Sequence, residues 1–331
     1  MRNFIAGLAL ACHALACAHE TTPSYLGLPR AATLDTKGGA IQGTLTVPVP
    51  VTCGPVVLFI SGSGPTDRDG NSKLLSGPND SLKMLAAALA QLGIASLRYD
   101  KRGIAASARA APDESRLRLE TYADDAAAWI RQLRREGRYA HIVVLGHSEG
   151  SLIGMLAARQ AGADAFISVA GPAEPAARLL LRQLQPGLTP ELARANAAIL
   201  GALEHGRRWT ALPPQLQAIY RPKVQPYLIS WFKYVPAREF ARLAMPLLIV
   251  QGDSDIQVAT EQAQLLRQAN PRAQLAVLPG MNHVLKQVPA DTARQMASYA
   301  DPSLPLAPDL VPALAAFIEA LPAPSRPACA D

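Results

Sequence analysis

The chain has 331 residues, 49% of them hydrophobic and only 18% charged, which is enough apolar material for one large core and too little charge for a disordered chain. The net charge of +6 comes from Lys and Arg scattered along the sequence. That pattern excludes the basic stripe a nucleic-acid partner would need.

Arg2 is followed by an apolar run from Phe4 to Ala11 that continues to Ala18, with small residues suited to cleavage after Ala16 or Ala18. Residues 1–18 are therefore expected to be a secretory signal peptide, which implies an exported, periplasmic or secreted protein. The run falls short of the roughly twenty apolar residues that span a bilayer, and the mature chain offers no other candidate. A lipid anchor on Cys17 is the lesser alternative, because Ala14 stands where a leucine is usual. Cys12 and Cys17 fall in the signal, leaving Cys53 and Cys329. Cys53 precedes a central strand, and a last helix running back along the sheet would bring Cys329 to the same end, so a disulfide between them is expected.

Segments 39–47, 55–60, 94–98, 141–146, 165–170, 247–251 and 274–278 read as strands, being β-branched and apolar runs bounded by Gly, Pro or charged turns. Helical spacing marks 79–92, 121–136, 148–161, 257–269 and 308–320. Alternating strands and helices imply a mostly parallel central sheet covered on both faces. From 173 to 240 the rhythm changes to amphipathic stretches broken by prolines, which reads as a helical cap insertion over the carboxyl ends of the strands. The expected organisation is thus a first core part over 24–172, the cap over 173–240, a second core part over 241–322 and a flexible tail over 323–331.

The chemistry is carried by His141–Ala158, in which a strand runs into Gly146-His147-Ser148-Glu149-Gly150 and then a helix. This G-x-S-x-G between strand and helix nominates Ser148 as a nucleophile on a strained turn, where glycines remove side chains that would collide. A serine hydroxyl needs a base, and histidine titrates in the right range. Of six histidines, His283 lies in a glycine-containing loop after the last strand, at the same end of the sheet as the turn. The base needs a carboxylate to orient it, and the loop after the preceding strand supplies two, Asp253 and Asp255. The chain order Ser, Asp, His is that of α/β-hydrolases. Donors for the oxyanion are expected at the N–H of Glu149 and, in the loop Ser61-Gly62-Ser63-Gly64-Pro65, at the N–H of Ser63. Arg98, Asp100 and Arg102 read as loop-bracing ion pairs, whereas Tyr227 and Trp231, four apart on one helical face, read as cap core or as the wall of the substrate pocket.

The run Gly62–Asp69, which spells GSGPxDRD, resembles the oxyanion loop of bacterial serine esterases of the α/β-hydrolase superfamily. The resemblance extends to Arg98–Gly103, to GHSEG, to Gln225–Trp231 and to Gly280–Lys286, and so covers nearly all of the mature chain. It implies an α/β-hydrolase fold and a Ser148, Asp255, His283 triad, since the D-x-x-V pattern of such proteins matches Asp255 with Val258. The chain departs from the pattern at Ile104–Ser107, where similar proteins show a second glycine. The expected function is hydrolysis of a small carboxylic ester through an acyl-enzyme, with no cofactor and no metal. A thioesterase, a prolyl-type aminopeptidase, an acyltransferase and a non-catalytic binding protein are the alternatives.

Overall fold

A computed structural model of the chain describes residues 26–51, 53–289 and 291–324. The expected signal peptide, Cys329 and residues 325–331 of the expected tail lie outside the described residues. Eight strands form one sheet: β1 (Leu26–Thr36), β2 (Gly39–Val49), β3 (Val56–Ile60), β4 (Ala95–Tyr99), β5 (Ile142–His147), β6 (Ala165–Val169), β7 (Leu247–Gly252) and β8 (Gln274–Leu278). Their order is β1-β2-β4-β3-β5-β6-β7-β8, with β1, β2 and β4 antiparallel neighbours and every pair from β4 to β8 parallel.

The apolar runs are continuous because both faces are covered. In β3, Val56, Leu58 and Ile60 pack into one core with Trp129 and Met155. Val57 and Phe59 face the other way, into a core with Leu85 and Leu314. The helices that supply these layers are α1 (Ser81–Ala90), α2 (Leu119–Glu136) and α3 (Glu149–Ala161) before β6. Between β6 and β7 the regular elements are all helical: α4 (Ala176–Leu184), α5 (Pro190–Glu204), α6 (Gln217–Tyr220), α7 (Gln225–Phe232) and α8 (Pro236–Ala241), joined by short 3₁₀ turns. Then come α9 (Thr260–Ala269), α10 (Thr292–Ser298) and α11 (Leu310–Glu319). No helix among the described residues is long and apolar enough to cross a membrane.

Two elements were not expected from the sequence. Strand β1 is exposed along most of its length and carries Pro29, so it shows no burial alternation. Pairing imposes its extended form, because eleven residues match β2 across the two-residue turn Lys37-Gly38. Helix α10 has only seven residues, and its N-cap Asp291 accepts from the amide of Arg294. Cys53 is disulfide-bonded, and each of the other three cysteines lies outside the described residues.

The departure at Ile104–Ser107 has a backbone consequence. Ala105 sits at φ 41°, in the left-handed region, and is exposed. That conformation costs an L-residue about 1–2 kcal/mol, partly offset when glycine adds freedom to the unfolded chain. Ala105→Gly is therefore expected to stabilise the protein by roughly 0.5–1 kcal/mol, read as a higher urea midpoint at unchanged slope. A lower midpoint would show that the turn tolerates alanine without strain.

Candidate active site

Strand β5 delivers the chain to Ser148, which caps α3 at φ 55° and ψ −122°. Such a conformation costs a non-glycine residue of order 1–3 kcal/mol and persists only where its surroundings enforce it. They do so here: the Ser148 amide donates to the Val169 carbonyl of β6 at 3.0 Å, and α3 starts directly beneath β3. A Cβ on Gly150 would lie 2.2 Å from the Ile60 carbonyl oxygen. Only glycine lets the helix approach the sheet so closely.

The Asp255 and His283 loops meet in the same way. Gly252, the last residue of β7, packs so tightly against the histidine loop that a Cβ there would fall 1.9 Å from the Met281 carbonyl oxygen. The Ser254 amide donates to that oxygen at 3.2 Å. Across this junction His283 Nδ1 lies 2.8 Å from Asp255 Oδ2. The other carboxylate oxygen accepts from the amides of Gln257 and Val258 at 2.8 and 2.9 Å. Burial pushes the Asp255 carboxyl up, but the charge and hydrogen bond of His283 and the two amides together hold it below its ordinary range. An ionised acceptor on Nδ1 keeps the proton there and leaves Nε2 as the basic atom. Asp253 does a different job: its Oδ1 accepts from the Gly280 amide at 2.7 Å and closes the turn below the histidine loop.

His147, beside the candidate nucleophile, donates from Nε2 to the His283 carbonyl oxygen at 2.8 Å. Its burial, together with the neighbouring His283, pushes its pKa down to about 3. Unfolded, the same imidazole takes up a proton near 6.5. The unfolded chain therefore binds the extra proton between about pH 6.5 and 3. This contribution to stability is complete above that window and is lost as the pH falls through it. His147→Gln keeps an N–H donor for the His283 carbonyl and removes the titration, so it is expected to lose less stability than wild type between pH 7 and 4. Urea unfolding at several pH values reads this directly, and parallel slopes for the two proteins would contradict it.

Around the turn at Ser148, an elbow between β5 and α3, runs a buried polar network. Lys101 Nζ donates to the Gly62 carbonyl oxygen at 2.5 Å and to Glu149 Oε2 at 3.0 Å, and lies 5.5 Å from the centre of the Tyr122 ring. The hydroxyl of Tyr227, on α7, donates to Glu149 Oε1 at 2.5 Å. Burial and the Glu149 charge push the Tyr227 phenol well above its ordinary value, so it stays a donor. Outside this network the charged residues of the neighbouring loops pair as expected: Arg68 with Asp100 at 2.7 Å, Arg102 with Asp125 at 2.6 Å, and Arg98 with Asp69. Among the described residues no cluster of His, Cys, Asp or Glu could hold a metal ion.

A cavity of about 220 Å³ opens at Ser148 and His283. Its walls come from the loop after β3, including Ser63, Leu74 and Leu75, from Val284, and from Tyr299 beyond α10. Tyr227 and Trp231, expected as cap core or as the pocket wall, do not line this cavity. Tyr227 turns inward to Glu149, and the Trp231 ring packs 6.1 Å from that of Tyr227 and 6.2 Å from that of Phe232. Their shared helical face thus points into the core. Lys101, Leu74 and Tyr299 were not singled out from the sequence. Lys101 falls in the Arg98–Gly103 run, whose Arg98, Asp100 and Arg102 read as loop-bracing ion pairs and left the lysine without a role of its own, and the other two fall in segments without periodicity.

Residues 79–287 match the family model described as serine aminopeptidase, S33. Esterase EstD of Thermotoga maritima is 27% identical over 267 residues, an alignment covering 80% of this chain and 62% of that relative. The chain thus spans less than two thirds of the length of the curated relative. Among solved structures, Est1E from Butyrivibrio proteoclasticus superposes with a TM-score of 0.55 at 18% identity, covering 87% of this chain and 99% of that one. An α/β serine hydrolase without lid from Xanthomonas campestris gives 0.51 at 20% identity, covering 90% and 97%. At such identities the likeness bears on the fold alone.

Proposed function

Because the chain belongs to the serine aminopeptidase S33 family of α/β-hydrolases, we propose that it is a serine hydrolase that cleaves small carboxylic esters through a Ser148, His283, Asp255 triad. The observation that carries this reading is a strained serine at the head of α3 that shares a cavity with a histidine whose Nδ1 is held 2.8 Å from a buried carboxylate.

His283 Nε2 takes the proton from Ser148 Oγ as the oxygen attacks the ester carbonyl carbon. The oxyanion that forms accepts hydrogen bonds from the amides of Glu149 and Ser63. Glu149 is the first residue of α3, so no carbonyl one turn earlier takes its N–H, and the positive end of the helix favours the same charge. The protonated His283 then gives its proton to the departing alcohol, leaving an acyl group on Ser148. A water molecule activated by His283 repeats the sequence and releases the acid.

The family description raises a second reading, an aminopeptidase. That chemistry requires a carboxylate to hold the substrate's terminal ammonium, and no described side chain lining the cavity is acidic, which favours the neutral ester. Labelling with a fluorophosphonate probe, followed by a panel of p-nitrophenyl esters, thioesters and aminoacyl p-nitroanilides, tests both levels. Labelling at Ser148 and turnover of acetate or butyrate esters at least tenfold faster than any anilide is expected. Faster anilide cleavage would reverse the substrate class, and a chain inert to the probe would remove the hydrolase reading.

A further inference from the structure

We propose that Lys101 is the positioning residue of the oxyanion hole, and that it couples the hole to the cap through Glu149 and Tyr227. The inference rests on the hydrolase reading above. A trans peptide points its N–H away from its C=O. The Lys101 ammonium, 2.5 Å from the Gly62 carbonyl oxygen, draws that oxygen to one side and so turns the Ser63 N–H to the other. Ser63 lines the cavity at Ser148, and among the described residues no acceptor takes up its N–H. The same ammonium, 3.0 Å from Glu149 Oε2, anchors the side chain of the residue whose amide is the other donor. One cation thus fixes both halves of the hole.

The electrostatics explain why the device holds its shape. The Lys101 and Glu149 side chains are only 2% and 3% exposed. A buried charge without its partner carries an uncompensated desolvation penalty, so neither can swing away alone. The remaining oxygen of Glu149 is taken by the Tyr227 hydroxyl at 2.5 Å, and the Tyr227 ring packs edge-on against Tyr122, 5.5 Å between centres. A shift of α7 therefore reaches the Gly62 peptide through three hydrogen bonds in series. Glycine at position 62 leaves this peptide unbraced by a side chain of its own, with room for a Cβ only at 3.3 Å from that of Ser148, so its orientation depends on what its carbonyl bonds.

The test measures ester kinetics and the affinity of a trifluoromethyl ketone, whose serine adduct carries the oxyanion, for Lys101→Met, Tyr227→Phe and the double variant Lys101→Met/Glu149→Gln. Losing one hole donor lowers kcat by about 10²–10³-fold in a serine protease. Lys101→Met is expected to lower kcat roughly 30- to 100-fold, with KM within about threefold and ketone affinity falling in step. Tyr227→Phe leaves the lysine in place and is expected to lose about three- to tenfold. If burying an unpaired Glu149 prevents the single variant from folding, the double variant removes both charges and is read the same way. A folded Lys101 variant with kcat within twofold of wild type, or with lower kcat but unchanged ketone affinity, would overturn the proposal. Wild-type protein inert to the fluorophosphonate and to esters would instead overturn the hydrolase reading beneath it.

Discussion

Ser148→Ala is expected to lower kcat for a p-nitrophenyl ester by about four to six orders of magnitude, while leaving the melting temperature equal to or above that of wild type. Losing the attacking oxygen removes the covalent route altogether; what survives is the modest catalysis that an oxyanion hole and binding can still give. The stability side follows from the backbone. Ser148 holds φ 55° whatever its side chain, so alanine inherits the strain but gives up only a hydroxyl facing the cavity. Fluorophosphonate labelling should vanish with the activity. Residual turnover above about one per cent of wild type, in protein free of contaminating esterase, would mean that another nucleophile operates.

The second large effect separates two aspartates only two positions apart. Asp255→Asn is expected to lower kcat by about 10⁴-fold, because an amide in place of the carboxylate can present an N–H to Nδ1 and trap the imidazole in the wrong tautomer. The loss should be confined to kcat, with KM little changed. Asp253→Asn should retain activity within about threefold: an asparagine oxygen can accept the Gly280 amide as Asp253 Oδ1 does. Steady-state kinetics of the two variants side by side decide the assignment, and a reversed order would transfer the acid role to Asp253.

Much of this architecture was legible because it rests on local rules. The strands β3 to β7 announced themselves as short apolar runs, and their two-sided burial is the reason those runs lack polar alternation, whereas β8, at the sheet edge, was read from the same kind of run although most of it is exposed. The turn at Ser148 was legible because close approach of α3 to β3 leaves room only for glycine at position 150. Two loops at one end of the sheet gave His283 and a pair of carboxylates, although the spacing did not choose between Asp253 and Asp255. The D-x-x-V resemblance pointed to Asp255, and Asp255 is the one that lies 2.8 Å from His283. Strand β1 and the cavity walls were not legible. A strand made by pairing at an exposed edge carries no burial pattern, and loop residues such as Leu74 and Tyr299 become neighbours only through chain paths with no periodic signal.

By itself, then, the sequence determined the layered α/β architecture and singled out Ser148 and His283 as candidates, since periodicity, glycine placement and chain order act over a few residues and leave their mark in composition. Only the tertiary structure decided which carboxylate meets the histidine, that Tyr227 turns to Glu149 and away from the cavity, and that Lys101 lies buried between the elbow and the loop after β3. Those outcomes depend on contacts between residues far apart in the chain. The balance of desolvation against pairing is set there by the whole surroundings of a charge and by no stretch of sequence near it.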